Sequence, residues 1–199
     1  MISQTFILIG RSGCGKGTQG QLLAEHLKKQ DKDGREVYYL ETGANFREFF
    51  KEKNYSAELA RKIYEHDERQ PDFIAVWMWA HLFLRDLKGE EHLFADGTCR
   101  SLPEAQIFDT ALKFYGRKAN VIYIDVSRKW SEGHLLKRGR EDDTNLKKIE
   151  GRLNWFDSDT MPAVEFFRNH PDYNFVEVSG ERPIEVVHAD IVEKIKVFE

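Results

Sequence analysis

Cysteine is scarce. Cys14 and Cys99 are the only two in 199 residues and form no C-x-x-C pair, so the sequence suggests no disulfide framework. The 7 histidines show no H-x-x-x-H spacing, which removes the usual zinc pattern. A surplus of positive charge is also lacking: 30 Lys and Arg stand against 34 Asp and Glu, a net charge of -4. No overall basic field therefore draws the chain to nucleic acid or an anionic membrane, and any basic site is a local cluster. No stretch approaches the ~20 apolar residues of a membrane-spanning helix. The start, "MISQTFILIG", has neither the basic region nor the apolar length of a signal peptide, so the expected location is cytoplasmic. There is no internal repeat and no low-complexity tract.

What is present suffices for one α/β domain that folds alone, since 41% of the residues are hydrophobic, and a monomer is expected. Short apolar runs recur: "TFILIG", "EVYYLE" at Glu36 to Glu41, "EHLFAD" at Glu91 to Asp96, "NVIYIDV" at Asn120 to Val126, and "YNFVEVS" near Tyr173. Helical patterns such as "KGTQGQLLAEHLKKQ" and "SLPEAQIFDTALKFYG" separate them and stop near Gly34 and Gly116. Strands alternating with helices predict a five-stranded parallel sheet. Two connections are longer than a crossover needs. Residues 44–87 suggest two or three helices, and residues 130–169 contain the charged break "KRGREDD". The aromatic series Phe73, Trp77, Trp79 and Phe83 has helical spacing and is assigned to the core.

The segment "GRSGCGKGTQG", Gly10 to Gly20, follows the first strand and opens a helix. Gly10-x-x-x-x-Gly15-Lys16 in that setting is a phosphate-binding pattern. Glycines let successive backbone N–H groups face one concavity, the helix N-terminus adds partial positive charge, and Lys16 adds a full one. Gly17 stands where the general motif has a Ser or Thr for magnesium, and Thr18 follows it. Cys14 is read as inert filler of the loop. Arg47 and Arg100 each follow a strand end and so can reach the crevice that Lys16 reaches. A guanidinium fork suits phosphate oxygens. Asp96 ends a strand and could hold waters of a phosphate-bound magnesium, or else cap a turn. Arg138, Arg140 and Arg152 could bind phosphate or form a solvated face with Glu141, Asp142 and Asp143. His134 lies one helical turn before Arg138, on the same face.

The run Gly10-x-x-Gly13-Cys14-Gly15-Lys16-Gly17-Thr18-Gln19 resembles the adenylate kinase family of nucleoside monophosphate kinases. "LETGANFR" resembles the family's T-G-x-x-x-R through Thr42, Gly43 and Arg47, although Ala44 replaces the usual Asp. "ADGTCRSLPEAQ" resembles D-G-F-P-R-T-x-x-Q, keeping Asp96, Gly97 and Arg100 while Thr98, Cys99 and Glu104 differ. "LLKRGREDD" with Arg152 resembles the short-lid form, and "VSGERPIEVV" the loop and last helix beside the ATP base.

The resemblance implies a P-loop nucleoside-monophosphate-kinase-like fold with a core of residues 1–43 and 88–199, a helical insertion for the monophosphate at about 44–87, and a short lid at about 138–144. It implies transfer of the γ-phosphoryl of ATP, with magnesium, to AMP. Gly10, Gly13, Cys14, Gly15, Lys16, Gly17, Thr18 and His134 would then border ATP, with His134 in place of an arginine that stacks on the base. Thr42, Gly43, Arg47, Arg100 and Glu104 would hold the acceptor. Lys16, Arg100, Arg138, Arg140 and Arg152 would neutralise the phosphoryl in transfer. GMP or a pyrimidine monophosphate remains an alternative acceptor, because an ionised Glu104 accepts hydrogen bonds where a Gln both accepts and donates. A nucleotide-binding switch remains the alternative class, since a strand-end aspartate like Asp96 also fits those proteins.

Overall fold

The structure is a computed structural model that describes residues 2–66, 68–139, 143 and 145–197. In chain order the elements are β1 (Thr5–Gly10), α1 (Lys16–Gln30), β2 (Val37–Glu41), α2 (Thr42–Phe49), α3 (Tyr55–Glu65) and α4 (Asp72–Asp86). There follow β3 (His92–Asp96), α5 (Leu102–Phe114), β4 (Ala119–Asp125), α6 (Arg128–Arg138) and α7 (Leu146–Trp155). A π-helical turn, Phe156–Thr160, leads into α8 (Met161–Asn169), β5 (Tyr173–Ser179) and α9 (Ile184–Lys194). The strands form one sheet in the order β2-β3-β1-β4-β5, every pair parallel. The predicted α/β fold with a five-stranded parallel sheet is the observed one.

Alternation along β1 divides the core between the two faces of the sheet. Ile7 and Ile9 pack with Leu40, Trp79, Phe83, Phe108 and Phe167 from β2, α4, α5 and α8. Phe6 and Leu8 pack with Leu23, Leu27, Val187 and Ile191 from α1 and α9. Burial on both faces is why the strands read as unbroken apolar runs. Helices α2, α3 and α4 share a small core of their own, with Phe49, Ala57, Ala60, Ile74 and Met78.

The aromatic series of α4 splits. Trp79 and Phe83 are buried, but Phe73 is 72% and Trp77 45% exposed. Positions 73 and 77 lie one turn apart on one stripe and 79 and 83 on another, so helical spacing within each pair does not place both pairs inward. Trp77 instead lies against His81 and Phe49.

A buried polar pair fastens the amino ends of the central strands β1 and β3, opposite the glycine loop. His92 Nδ1 accepts the backbone N–H of Gln4 at 2.9 Å, which places the ring proton on Nε2, donating to Asp31 at 3.1 Å. Burial opposes the charge of Asp31, but the backbone N–H groups of Arg35 and Asp33, with His92, outweigh it and lower its pKa to about 2. Burial pushes His92 below its ordinary 6.5 despite Asp31. Both depressed values act in the same direction. Between folded and unfolded pKa the unfolded chain binds the extra proton, so stability present at neutral pH falls as pH drops. We expect melting temperature to decline on acidification from about pH 6.5, with a second decline below about pH 4. His92→Gln should flatten the first decline in melts recorded across this range; an unchanged slope would assign it to other groups.

Candidate active site

Lys16 and the loop before it sit at the carboxyl ends of the strands, beside the β1–β3 boundary. Here the connection leaving β1 and the one leaving β3 depart to opposite sides of the sheet, the usual ligand crevice of such folds. A Cβ at Gly10 would lie 2.6 Å from the Ile124 carbonyl oxygen and 2.7 Å from Cys14 Sγ, so only glycine fits where the loop leaves β1. Gly15 caps α1 at φ 94, a left-handed conformation that favours glycine with no neighbour to clash. Gly13 backs onto Leu135 and Ser131 of α6. Cys14 is buried filler of the loop, as read from the sequence. Lys16 folds across this turn, its Nζ donating to the carbonyl oxygens of Gly10 at 2.7 Å and Arg11 at 3.1 Å. Gly17 and Thr18 are exposed in the first turn of α1.

Asp96, at the end of β3, is 8% exposed. Burial pushes its pKa up, and Lys16 and a hydrogen bond from Tyr39 work against that rise. A Cβ on Gly17 would stand 3.6 Å from Asp96 Oδ2, so the carboxylate lies against the first turn of α1.

Across the crevice, Thr42 and Gly43 open α2, which begins directly at the end of β2. Ideal Cβ placement on Gly43 lies 3.4 Å from Arg47 Nη1 and 3.9 Å from Arg100 Nη2, so two guanidinium groups converge over a residue with no side chain. Arg47 is half exposed and pairs with Glu41 at 3.0 Å. Arg100 is held more firmly. Its Nε donates to the Gly97 carbonyl at 2.8 Å, its backbone N–H to Glu104 Oε2 at 2.7 Å, and its carbonyl accepts from Thr160 at 3.0 Å. Arg100 keeps access to solvent, yet crowding by its neighbours and the charges of Arg152 and Arg47 push its pKa down, while Glu104 and Asp96 oppose them. An arginine keeps its proton through such a shift, so the cluster stores repulsion that an anion would relieve.

Glu104 stands in the first turn of α5, whose N-cap is Ser101. Its N–H donates to Ser101 Oγ at 3.2 Å, while its carboxylate turns back to Arg100. Burial raises its pKa against the pull of Arg100. Its Oε1 is buried without a hydrogen-bond partner, as are the hydroxyls of Thr42 and Thr98. Facing the crevice, an unpaired acceptor such as Glu104 Oε1 is one that a polar ligand could pair.

Arg138 and Arg152 converge from α6 and α7 on one carboxylate. Asp143, wholly buried, accepts from Arg138 Nε at 2.7 Å and Arg152 Nη2 at 2.8 Å. Burial opposes the charge of Asp143, but the two arginines hold its pKa below the ordinary range. The charged run is thus no solvated face at this position. Arg140, Glu141, Asp142 and Thr144 lie outside the described residues. His134 is exposed and stacks on Trp130, centroids 4.5 Å apart.

Two anchoring arginines escaped the sequence reading. Arg11, inside the glycine loop, pairs with Asp157 at 2.6 Å and donates to the Val126 carbonyl at 2.9 Å. Arg69 bridges Asp72 at 2.7 Å and Asp159 at 3.0 Å. Asp157, Asp159 and Thr160 all belong to the π-helical turn, which thereby ties the phosphate loop, the start of α4 and the Arg100 loop together. A cavity of about 440 Å³ near Asp109, Lys113 and Tyr173 opens at the amino ends of β4 and β5, the opposite edge, and has no part in this site.

The family model described as AAA domain matches residues 9–150, which include the glycine loop, Arg47, Arg100 and Asp143. Similarity extends further in individual relatives. Adenylate kinase of Azobacteroides pseudotrichonymphae is 28% identical over 192 residues, 94% of this chain and 95% of the relative. Adenylate kinase of Oenococcus oeni is 28% identical over 192 residues, 96% of each chain. Adenylate kinase 1 of a Nostoc species is 28% identical over 182 residues, 91% of this chain and 92% of its own. With a phosphate loop, an arginine cluster and whole-length similarity to kinases, the chain belongs to the AAA domain family, as an ATP-dependent P-loop phosphotransferase of the adenylate kinase kind.

Proposed function

We propose that the enzyme transfers the γ-phosphoryl of ATP to AMP, giving two ADP, and that each half of the crevice holds one nucleotide. The observation that carries this reading is the convergence of Arg47 and Arg100 over Gly43, with Arg152 near enough to Arg100 to repel it. A cation cluster of this density suits an acceptor that already carries a phosphate. Lys16 and the loop N–H groups hold the donor phosphates, and Arg138 and Arg152, oriented by Asp143, reach the phosphoryl in transfer. Arg140 belongs with them by its place in the sequence. Helices α2 to α4 form the acceptor-binding insertion, and His134 with Trp130 borders the ATP base. No strong general base is needed, because the acceptor phosphate is an anion at neutral pH.

Magnesium fits the donor side. Among the described residues no group of three or more His, Cys, Asp or Glu side chains could cage a metal alone. A single buried carboxylate beside a phosphate loop suits an ion that keeps its waters and is held mainly by substrate phosphates, and Asp96 is that carboxylate. When bound, the ion would neutralise charge between the donor phosphates. A cytoplasmic setting accords with the two cysteines being free and buried.

The orphaned Glu104 Oε1 favours one second reading, GMP as acceptor. Guanine offers adjacent N–H donors to a carboxylate, whereas adenine N1 needs a donor. In Glu104→Gln one oxygen can still accept from Arg100 N–H, while the new amide faces the base. The substitution should raise the ratio of kcat/KM for AMP over GMP roughly tenfold. A coupled assay of ATP against AMP, GMP, CMP and UMP tests both readings. Turnover indifferent to any monophosphate would refute the proposal, and an unchanged ratio in Glu104→Gln would remove Glu104 from the base contact.

A further inference from the structure

We infer that Tyr39 is a positioning residue for Asp96, fitted by Gly20, and that it sets how strongly magnesium is held with ATP; the inference rests on Asp96 facing that ion through water. Tyr39 lies beside Phe94 in the parallel pairing of β2 with β3. The two rings stack at 5.6 Å with 10° between their planes, and Phe94 stacks in turn on Phe6. Residues two apart in a strand share a face, so Asp96 emerges on the side of Phe94 toward which the Tyr39 ring extends. The phenol O–H donates to Asp96 Oδ2 at 3.2 Å.

Helix α1 covers this face, and the match between the two is close. A Cβ on Gly20 would lie 2.2 Å from Tyr39 Oη and 3.1 Å from Cζ, distances no neighbouring side chain could accept without moving. Glycine costs helix stability in the middle of α1, roughly 1 kcal/mol relative to alanine. Its presence here opens the space into which the hydroxyl reaches. Stacking fixes the ring plane, Gly20 admits the hydroxyl, and the hydrogen bond fixes the rotation of the carboxylate. Lys16 and Arg100 also support the charge of Asp96. A carboxylate held on one oxygen presents its other oxygen in a set direction, which is how outer partners tune an ion's hold.

The experiment compares Tyr39→Phe, Gly20→Ala, their double variant and Asp96→Asn in the full chain. Tyr39→Phe keeps the stacked ring and loses only the hydroxyl. Calorimetric titration with ATP, with and without magnesium chloride, should show the magnesium-dependent gain in ATP affinity reduced about tenfold in Tyr39→Phe. ATP affinity without magnesium and the KM for AMP should stay unchanged. Gly20→Ala should reproduce that loss, and adding it to Tyr39→Phe should deepen the magnesium effect little because the hydroxyl is already gone, although the Cβ would still stand 2.6 Å from Leu8 Cδ1 and lower the melting temperature of both variants. If Asp96→Asn loses the magnesium effect while Tyr39→Phe retains it, Asp96 keeps its role and the inference about Tyr39 is wrong. If Asp96→Asn also retains it, the magnesium reading of Asp96 falls and takes the inference with it.

Discussion

Lys16→Met should lower turnover by roughly three orders of magnitude while the protein remains folded, in line with the loss of one preorganised charge contact. Methionine matches the length of the lysine stem without its charge. The loop should hold its shape, because Gly10 and Gly15 meet its steric and conformational demands. What disappears is the cation that now donates to the Gly10 and Arg11 carbonyls and that would swing to the outer phosphates of ATP. A coupled assay of ADP formation measures the loss, and a thermal melt checks the fold. Retention of more than about a tenth of wild-type turnover would mean that the positive charge at Lys16 is not what the phosphates need.

The site was legible in the sequence where chemistry is local to a few residues. A glycine loop between a strand and a helix carries its own pattern, and Arg47, Asp96 and Arg100 were found because each sits at or just after a strand end. The strands were legible because both faces of the sheet are covered. Contacts that join distant segments left no such trace. Asp143 reads as one acid in a charged run, and only the meeting of α6 with α7 makes it the buried partner of Arg138 and Arg152. Tyr39 reads as one aromatic in a strand, since its partner Asp96 is 57 residues away. Arg11 looks like an ordinary loop variation until the π-helical turn brings Asp157 to it. Phe73 and Trp77 were misplaced because periodicity shows that residues share a face and not which face is covered.

The two acceptor-side arginines should prove unequal. Replacing either by alanine removes charge-assisted contacts to the monophosphate, about 1.5–3 kcal/mol each, or roughly 10- to 150-fold in affinity. Arg100→Ala should lie at the upper end. Its guanidinium is tethered to the Gly97 carbonyl, so little further ordering is required when phosphate arrives. Its other bonds, to Glu104 and Thr160, run through the backbone and survive truncation, so the loop should keep its place. Arg47→Ala should lie nearer the lower end, because Arg47 must give up its pairing with Glu41 to reach the phosphate. Neither variant should change ATP affinity measured without monophosphate, since the proposed holders of that nucleotide are Lys16 and the glycine loop. Calorimetric titration of each variant with AMP alone separates the cases. Equal losses would mean that Arg47 is as well ordered as Arg100 once the acceptor is bound, and unchanged affinity in both would place the acceptor phosphate elsewhere.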